Sequence, residues 1–329
     1  MTILSLLRCA LLATLAATSL APLPVAADDA AKAQQERQQT QPLNNAPVWR
    51  EVRSEQAGTS TLPDPEAGVL IQSAGMTWRD WRNGPLTLYG GILLLLVPAA
   101  IGLFYLRKGP MKLREPPTGR KTQRFSRFER IAHWGTAISF VILALSGLAM
   151  LFGKHLLTPV LGHWLAALLI ILGKNLHNLI GPVFLAFLVV MIVHFARDNF
   201  WEACDALWLR KGGGLINGEH VPAGRFNFGE KAWFWLGVTL LGLIATASGL
   251  LLDFPNFGQT RALLQTLTLV HAVAAIALTA LSLSHIYMGT LGTEGALDAM
   301  RSGEVDDAWA KEHHELWYNE VKAGKSEQP

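Results

Sequence analysis

The stretch 262–288, ALLQTLTLVHAVAAIALTALSLSHIYM, decides the fold class, because it is apolar for longer than any ordinary buried helix needs. Crossing a hydrocarbon core of roughly 30 Å takes about 20 consecutive apolar residues in a helix, and this run exceeds that length. Two imidazoles interrupt it: His271 and His285 stand 14 residues apart. In a helix that spacing is about 21 Å along the axis and within about 40° of the same face. Ionisable side chains inside a span are costly, so both mark a function rather than an accident of composition.

Four further stretches reach spanning length: Leu86–Leu106, Ile131–Phe152, Leu176–Phe195 and Trp233–Leu252. Between the first two, residues 107–130 carry Arg107, Lys108, Lys112, Arg114, Arg120, Lys121, Arg124, Arg127 and Arg130 against Glu115 and Glu129. Such a loop stays in the cytoplasm by the positive-inside rule. Alternation then places 153–175 in the periplasm, 196–232 in the cytoplasm, 253–261 in the periplasm and the tail from about Gly289 in the cytoplasm. Leu156–Gly173 is apolar enough to compete as a span, but it is short and holds Pro159, Gly162 and His163. It is read as an interfacial or re-entrant segment.

Composition agrees with a membrane protein: half of the residues are hydrophobic, 16% are charged, and mean hydropathy is positive. The net charge of +3 gathers beside apolar segments, so it reports topology and gives no nucleic-acid surface. Arg8, the apolar core Leu11 to Leu20 and the small residues Val25-Ala26-Ala27 read as a signal peptide, with a retained anchor helix as the rival. Arg8 directly before Cys9 argues against a lipoprotein signal. The remaining cysteine, Cys204, stands alone, which leaves no disulfide, zinc site or iron–sulfur cluster within the chain; the absence of C-x-x-C-H argues against covalent haem. From Asp28 to Pro85 the chain is rich in Gln, Pro, Ala and charge, and is expected to be a largely disordered extension ending in Trp78 and Trp81, two interfacial anchors.

Topology pairs the histidines. His133 opens the second span on its cytoplasmic side, level with His285, and His177 opens the third span on its periplasmic side, level with His271. Each pair could clamp one haem iron between helices of a bundle, and two haems would step an electron across the core. Gly181 and Ala275, four residues after His177 and His271, offer clearance for a flat macrocycle. His194 falls about 100° off the His177 face and is read as interfacial. His155, His163, His220, His313 and His314 fall outside the spans and are expected to be solvated or interfacial.

Several stretches carry a resemblance. Arg124-Phe125, Arg130-Ile131-Ala132-His133-Trp134, Ala144-Leu145-Ser146-Gly147, Leu176-His177, Arg225-Phe226-Asn227-Phe228-Gly229-Glu230-Lys231, His271, His285-Ile286-Tyr287-Met288 and Trp309–Tyr318 are similar to the gamma (cytochrome b) subunit of membrane-bound formate dehydrogenase. The resemblance covers about Arg120 to Tyr318. It implies two b haems, one on His133 and His285 and one on His177 and His271, as the topology suggests. It also implies a menaquinone or ubiquinone acceptor near the cytoplasmic haem, at Asn227, Gly229 and His285. Asn227 equally suits the cap of a helix starting near Gly229. The implied partners are an iron–sulfur beta subunit and a catalytic alpha subunit, with formate oxidised outside this chain.

The expected fold class is an all-α membrane protein: a four-helix transmembrane di-haem cytochrome b bundle preceded by a signal peptide and one additional transmembrane helix. The expected segments are a signal peptide (1–27), a periplasmic extension (28–85), the additional helix (86–106), a basic loop (107–130), the bundle (131–290) and a cytoplasmic tail (291–329), in a bacterial inner membrane. The first three depart from the compact pattern of that family. Rival readings are the di-haem cytochrome b of a hydrogenase or related reductase, and a haem-free anchor or transporter. The Asn227-Phe228-Gly229 loop and His313-His314 favour formate dehydrogenase over the former, and a lack of paired broken helices or inverted repeats tells against the latter.

Overall fold

The computed structural model describes residues 32–33, 35–37, 49–50, 73–214 and 221–325. The signal peptide read over 1–27, His220 and most of the extension lie outside these residues. Of the two compact units, Met1–Ala74 and Gly75–Pro329, the second holds nearly all that is described.

Among the described residues, four helices are long and apolar enough to cross a membrane: Ala74–Lys108, Arg127–Phe195, Phe228–Asp253 and Arg261–Gly292. The first begins inside the stretch expected to be disordered. Helix α1 (Ser73–Trp81) runs through a widened turn at Arg82–Leu86, which admits Pro85, into α2 (Thr87–Lys108). The widened turn frees the backbone position that Pro85 cannot hydrogen-bond, so the helix passes through it unbroken. Trp78 and Trp81 therefore lie on a helix that leads into the span.

Helix α3 (Arg127–Phe195) is 69 residues long and is broken at Gly162, where φ is +73°. Contacts between its arms run antiparallel: Glu129 with His194, Phe140 with Phe184, and Ser146 with His177. The arms thus fold back on one another about Gly162, whose left-handed backbone a residue with a Cβ would resist. Leu156–Gly173 is neither a separate interfacial segment nor a traverse. The two arms continue through it and meet there. Residues 127–161 form about 52 Å of helix, more than a bilayer core requires.

Helix α4 (Ala203–Lys211) lies between the hairpin and α5 (Phe228–Ala232), and α5 continues through a wide turn at Trp233–Leu241 into α6 (Gly242–Asp253). Helix α7 (Arg261–Tyr287) packs on α6 and on α2. A Cβ at Gly90 would lie 2.6 Å from Ile276 Cδ1, so the additional helix sits directly against the last one.

At the basic-loop end, the loop and the tail are ordered against each other. Strand β1 (Lys121–Gln123) pairs antiparallel with β2 (Glu304–Asp306), which lies between α8 (Ala296–Arg301) and α9 (Asp307–His313); α10 (Glu315–Lys322) follows. Phe125, Val305, Trp309, Trp317 and Val321 share one core there. Gly303, at φ +92°, accepts from the backbone N–H groups of Arg124 and Phe125 at 2.8 and 3.1 Å. Arg124 itself is buried among the rings of Phe125, Phe226, Trp309 and Trp317, and donates to the Arg225 carbonyl and to Glu230. Burial pulls its guanidinium down to about 10, with Glu230 opposing, so it remains charged at neutral pH. His314, expected to be solvated, is buried instead: its Nδ1 donates to the Gly224 carbonyl at 2.9 Å. Burial first, and then the charge of Arg124, hold it well below the usual imidazole range.

Candidate haem-binding site

The hairpin turn and the spacing on α7 together bring the four span histidines into two pairs. The ring centres of His133 and His285 lie 6.2 Å apart, and those of His177 and His271 lie 6.0 Å apart. Two imidazoles bound to one metal from opposite sides, with metal–nitrogen distances of about 2.0 Å, have ring centres about 6 Å apart. His133 comes from the outgoing arm of α3, His177 from the returning arm, and both partners from α7.

The hydrogen bonds of the pair nearer Gly162 determine which ring nitrogen is free. His271 Nδ1 lies 2.8 Å from the Ala245 carbonyl, which can only accept, so Nδ1 carries the proton and Nε2 keeps its lone pair. Ser248 Oγ, 3.3 Å from the same Nδ1, donates its own proton to the Ile244 carbonyl at 2.6 Å. His177 repeats the arrangement: Ser146 Oγ donates to the Ile142 carbonyl at 2.7 Å, and His177 Nδ1 donates to Ser146 Oγ at 2.9 Å. A metal-bound histidine needs this tautomer, with a second partner on the other nitrogen fixing the ring.

Two glycines follow these serines. A Cβ at Gly147 would lie 3.3 Å from His177 Cε1, and one at Gly249 would lie 3.0 Å from His271 Cε1. The clearance expected at Gly181 and Ala275 is thus joined by clearance on the facing helices, and nothing lies within 4 Å of a Cβ built at Gly181. Both buttresses share one local pattern, Ser146-Gly147-Leu148 and Ser248-Gly249-Leu250. That repeat was the signal available for them.

The pair nearer the basic loop is surrounded differently. Trp233 stacks on His285 with ring centres 5.0 Å apart and planes 14° apart, and Trp134 meets His133 edge-on at 5.4 Å. Buried His133 Nδ1 has no hydrogen-bond partner among the described residues. One turn before His133, Glu129 accepts from Arg225 at 2.6 Å, from Ser126 N–H at 2.8 Å, and pairs with His194 at 3.1 Å. Arg225 also pairs with Asp198. His194 therefore belongs to this ion cluster, apart from either histidine pair.

Asn227 caps α5: its Oδ1 accepts from Glu230 N–H at 3.0 Å, and Glu230 returns the bond to the Asn227 N–H at 2.8 Å. Gly229 lets the Trp208 ring approach, since a Cβ there would lie 3.0 Å from Trp208 Cη2. Trp233 follows Gly229 by one helical turn, which links this cap to the ring stacked on His285.

Comparison with known proteins adds the family. Residues 124–303 match the family described as prokaryotic cytochrome b561, a match covering the hairpin, α6, α7 and all four span histidines. The chain belongs to the prokaryotic cytochrome b561 family. The chain is 33% identical over 204 residues to the formate dehydrogenase cytochrome b556(fdo) subunit of Escherichia coli (strain K12), across 60% of this chain and 92% of that protein. It is 30% identical over 205 residues to the nitrate-inducible cytochrome b556(Fdn) subunit of the same strain, across 60% of this chain and 90% of that protein. The Haemophilus influenzae formate dehydrogenase cytochrome b556 subunit is 29% identical over 205 residues, or 83% of its length. Membership makes the chain a multi-pass bacterial inner-membrane protein that transfers electrons and carries haem b. The histidine chemistry fits that group, because a neutral imidazole with a fixed Nδ1–H presents the lone pair a haem iron takes.

Proposed function

We propose that this chain is the cytochrome b subunit of a membrane-bound formate dehydrogenase, carrying electrons through two b haems to a quinone. The observation that carries the reading is the double pairing: imidazole pairs with ring centres 6.0 and 6.2 Å apart, spaced 14 residues along one helix. His177 and His271 hold the outer haem iron, and His133 and His285 the inner one. His271 and His285 stand about 21 Å apart along the axis of α7, and the haems that these pairs would hold would supply one-electron carriers.

The partners are an iron–sulfur beta subunit, which delivers electrons on the periplasmic side, and a catalytic alpha subunit, which oxidises formate. The names of the relatives support this assignment. The chain's own contribution is positioning. Ser146, Ser248 and the Ala245 carbonyl hold the outer imidazoles in one tautomer.

At the inner end, menaquinone or ubiquinone is reduced beside His285, with Asn227 and Gly229 lining its place. The Asn227 oxygen is committed to the helix cap, so its NH2 is the group that donates to a quinone carbonyl. Protons come from the cytoplasmic side, and each electron carried inward against about 100 mV stores about 2.3 kcal/mol.

The test is co-purification of the intact complex, followed by a haem count and formate-driven reduction of a quinone analogue. Two b haems per chain and reduction of the analogue are the expected result. A stoichiometry of one, or an intact complex that reduces the haems with hydrogen but not formate, sinks the reading.

A further inference from the structure

Away from the histidine pairs, at the Gly162 end, a cavity of about 330 Å³ opens between the turn leading into α2 and the two arms of the hairpin. Arg82 enters it from that turn, Lys154 and His155 from the outgoing arm, and His163 from the returning arm just past Gly162. No carboxylate lines it. Among the described residues none of these four side chains takes part in an ion pair. Arg82 donates to the neutral Asn83 Oδ1 at 3.0 Å, a bond that orients the guanidinium without neutralising it.

The walls change character with depth. Met150, Leu151 and Ile170 also line it, and Met150 and Leu151 precede Lys154 by about one helical turn, on the side of the apolar run that ends at Phe152. Arg82 precedes the apolar run that starts at Leu86, and Lys154 follows the one that ends at Phe152. Both cations therefore stand at one level, where apolar helix surface gives way to polar chain, which is headgroup depth in a bilayer. Two unpaired cations held together repel each other and gain from an anion placed between them. An inorganic anion would satisfy the rim alone and leave the apolar walls unmatched.

The geometry points to a binding site for an anionic phospholipid of the periplasmic leaflet, its phosphate held by Arg82 and Lys154 with His155 and His163 beside it, and its acyl chain against Met150, Leu151 and Ile170. The ligand clips the additional helix to the hairpin, since the residues that would hold it come from both. The site is independent of the identity of the electron donor.

The experiment uses the full-length, haem-loaded chain in nanodiscs of phosphatidylethanolamine doped with phosphatidylglycerol, extracted into mild detergent, with retained lipid counted by native mass spectrometry. Phosphatidylglycerol should stay bound at about one per chain, and R82Q/K154Q should weaken its retention about thirtyfold, as expected for two basic contacts at a membrane surface. R107Q/K108Q, at the opposite end, should retain it as the unaltered chain does, and an unchanged haem spectrum in every variant shows that the fold is intact. The proposal falls if R82Q/K154Q retains phosphatidylglycerol equally, or if phosphatidylethanolamine is retained as well. It falls too if excess inorganic phosphate displaces the lipid, which makes this a free-anion site. Loss of the lipid from the intact complex, with R82Q/K154Q detaching a partner subunit, would assign the cations to partner carboxylates instead.

Discussion

The two ends of the bundle hold their histidines by different means. Near Gly162, His177 and His271 are oriented by hydrogen bonds to Ser146, Ser248 and the Ala245 carbonyl, all within spanning helices. Near the basic loop, His133 and His285 are hemmed by the flat faces and edges of Trp134 and Trp233. The start of α3 is anchored there from outside the bundle, with Trp134 Nε1 donating to the Met300 carbonyl at 3.0 Å and Arg130 to the Arg301 carbonyl at 3.1 Å. One end is preorganised by main chain and hydroxyls, the other by a folded cap made of loop and tail. The difference teaches that the outer pair depends on local helix chemistry, whereas the inner pair depends on contacts that close late in the chain.

The largest expected effect separates the ends outright. His271→Ala should reduce the haem content from two per chain to one and leave the inner haem's spectrum in place, read by a pyridine haemochrome assay. Loss of both haems would show that the ends are not independent.

Arg124→Met should loosen the inner end alone. It removes a buried cation from Glu230 and from the Arg225 carbonyl, a change costing on the order of 3 kcal/mol, the low end for a broken buried pair because Glu230 is partly exposed. Thermal melts should fall, and the inner haem should dissociate before the outer one.

A smaller contrast lies within the outer pair. Ser146→Ala removes the hydroxyl that accepts from the His177 N–H and leaves it only the backbone contact at Leu143, for about a 10-fold loss of haem affinity at that site, the low end for a lost outer partner. Ser248→Ala should do less, because His271 still donates to Ala245. Equal losses, measured by haem titration of the apo chains, would break the argument from tautomers.

The smallest effect is one of pH. Burial pushes the Asp307 carboxyl up, but hydrogen bonds from Thr122, Lys322 and Tyr318 and the Lys322 charge outweigh it and hold the group below its usual 3.8. A depressed folded value means that its contribution is complete above about pH 3.8 and is lost as pH falls through the lower folded value. Acid should therefore loosen the basic-loop end in that window. Thr122→Ala, which deletes a 2.5 Å bond to Asp307, should flatten the dependence in a melt-versus-pH series.

Much of the architecture was legible from runs of apolar residues and one basic loop, because spanning a bilayer imposes length and charge rules on the sequence itself. The stretch around Gly162 was harder. Its hydropathy resembles a short span, and the left-handed glycine that reverses the chain gives no signal in hydropathy. The start of the first helix is not legible in the sequence, because Pro85 and Asn83-Gly84 look like a loop, whereas a widened turn absorbs them. His314 looked solvated because its burial depends on Gly224, 90 residues earlier in the chain.

The sequence alone determined how many apolar stretches the chain has, where its basic loop falls between them and how far apart His271 and His285 stand, since these follow from composition and the helix repeat. Tertiary structure decided the rest. That each imidazole has a partner at about 6 Å, that Ala245 and the two serines fix a tautomer, and that loop and tail close over the inner end are all contacts between segments far apart in the chain. Hydropathy and periodicity describe one helix at a time, and only packing brings two of them to the distance at which a hydrogen bond or a shared iron becomes chemistry.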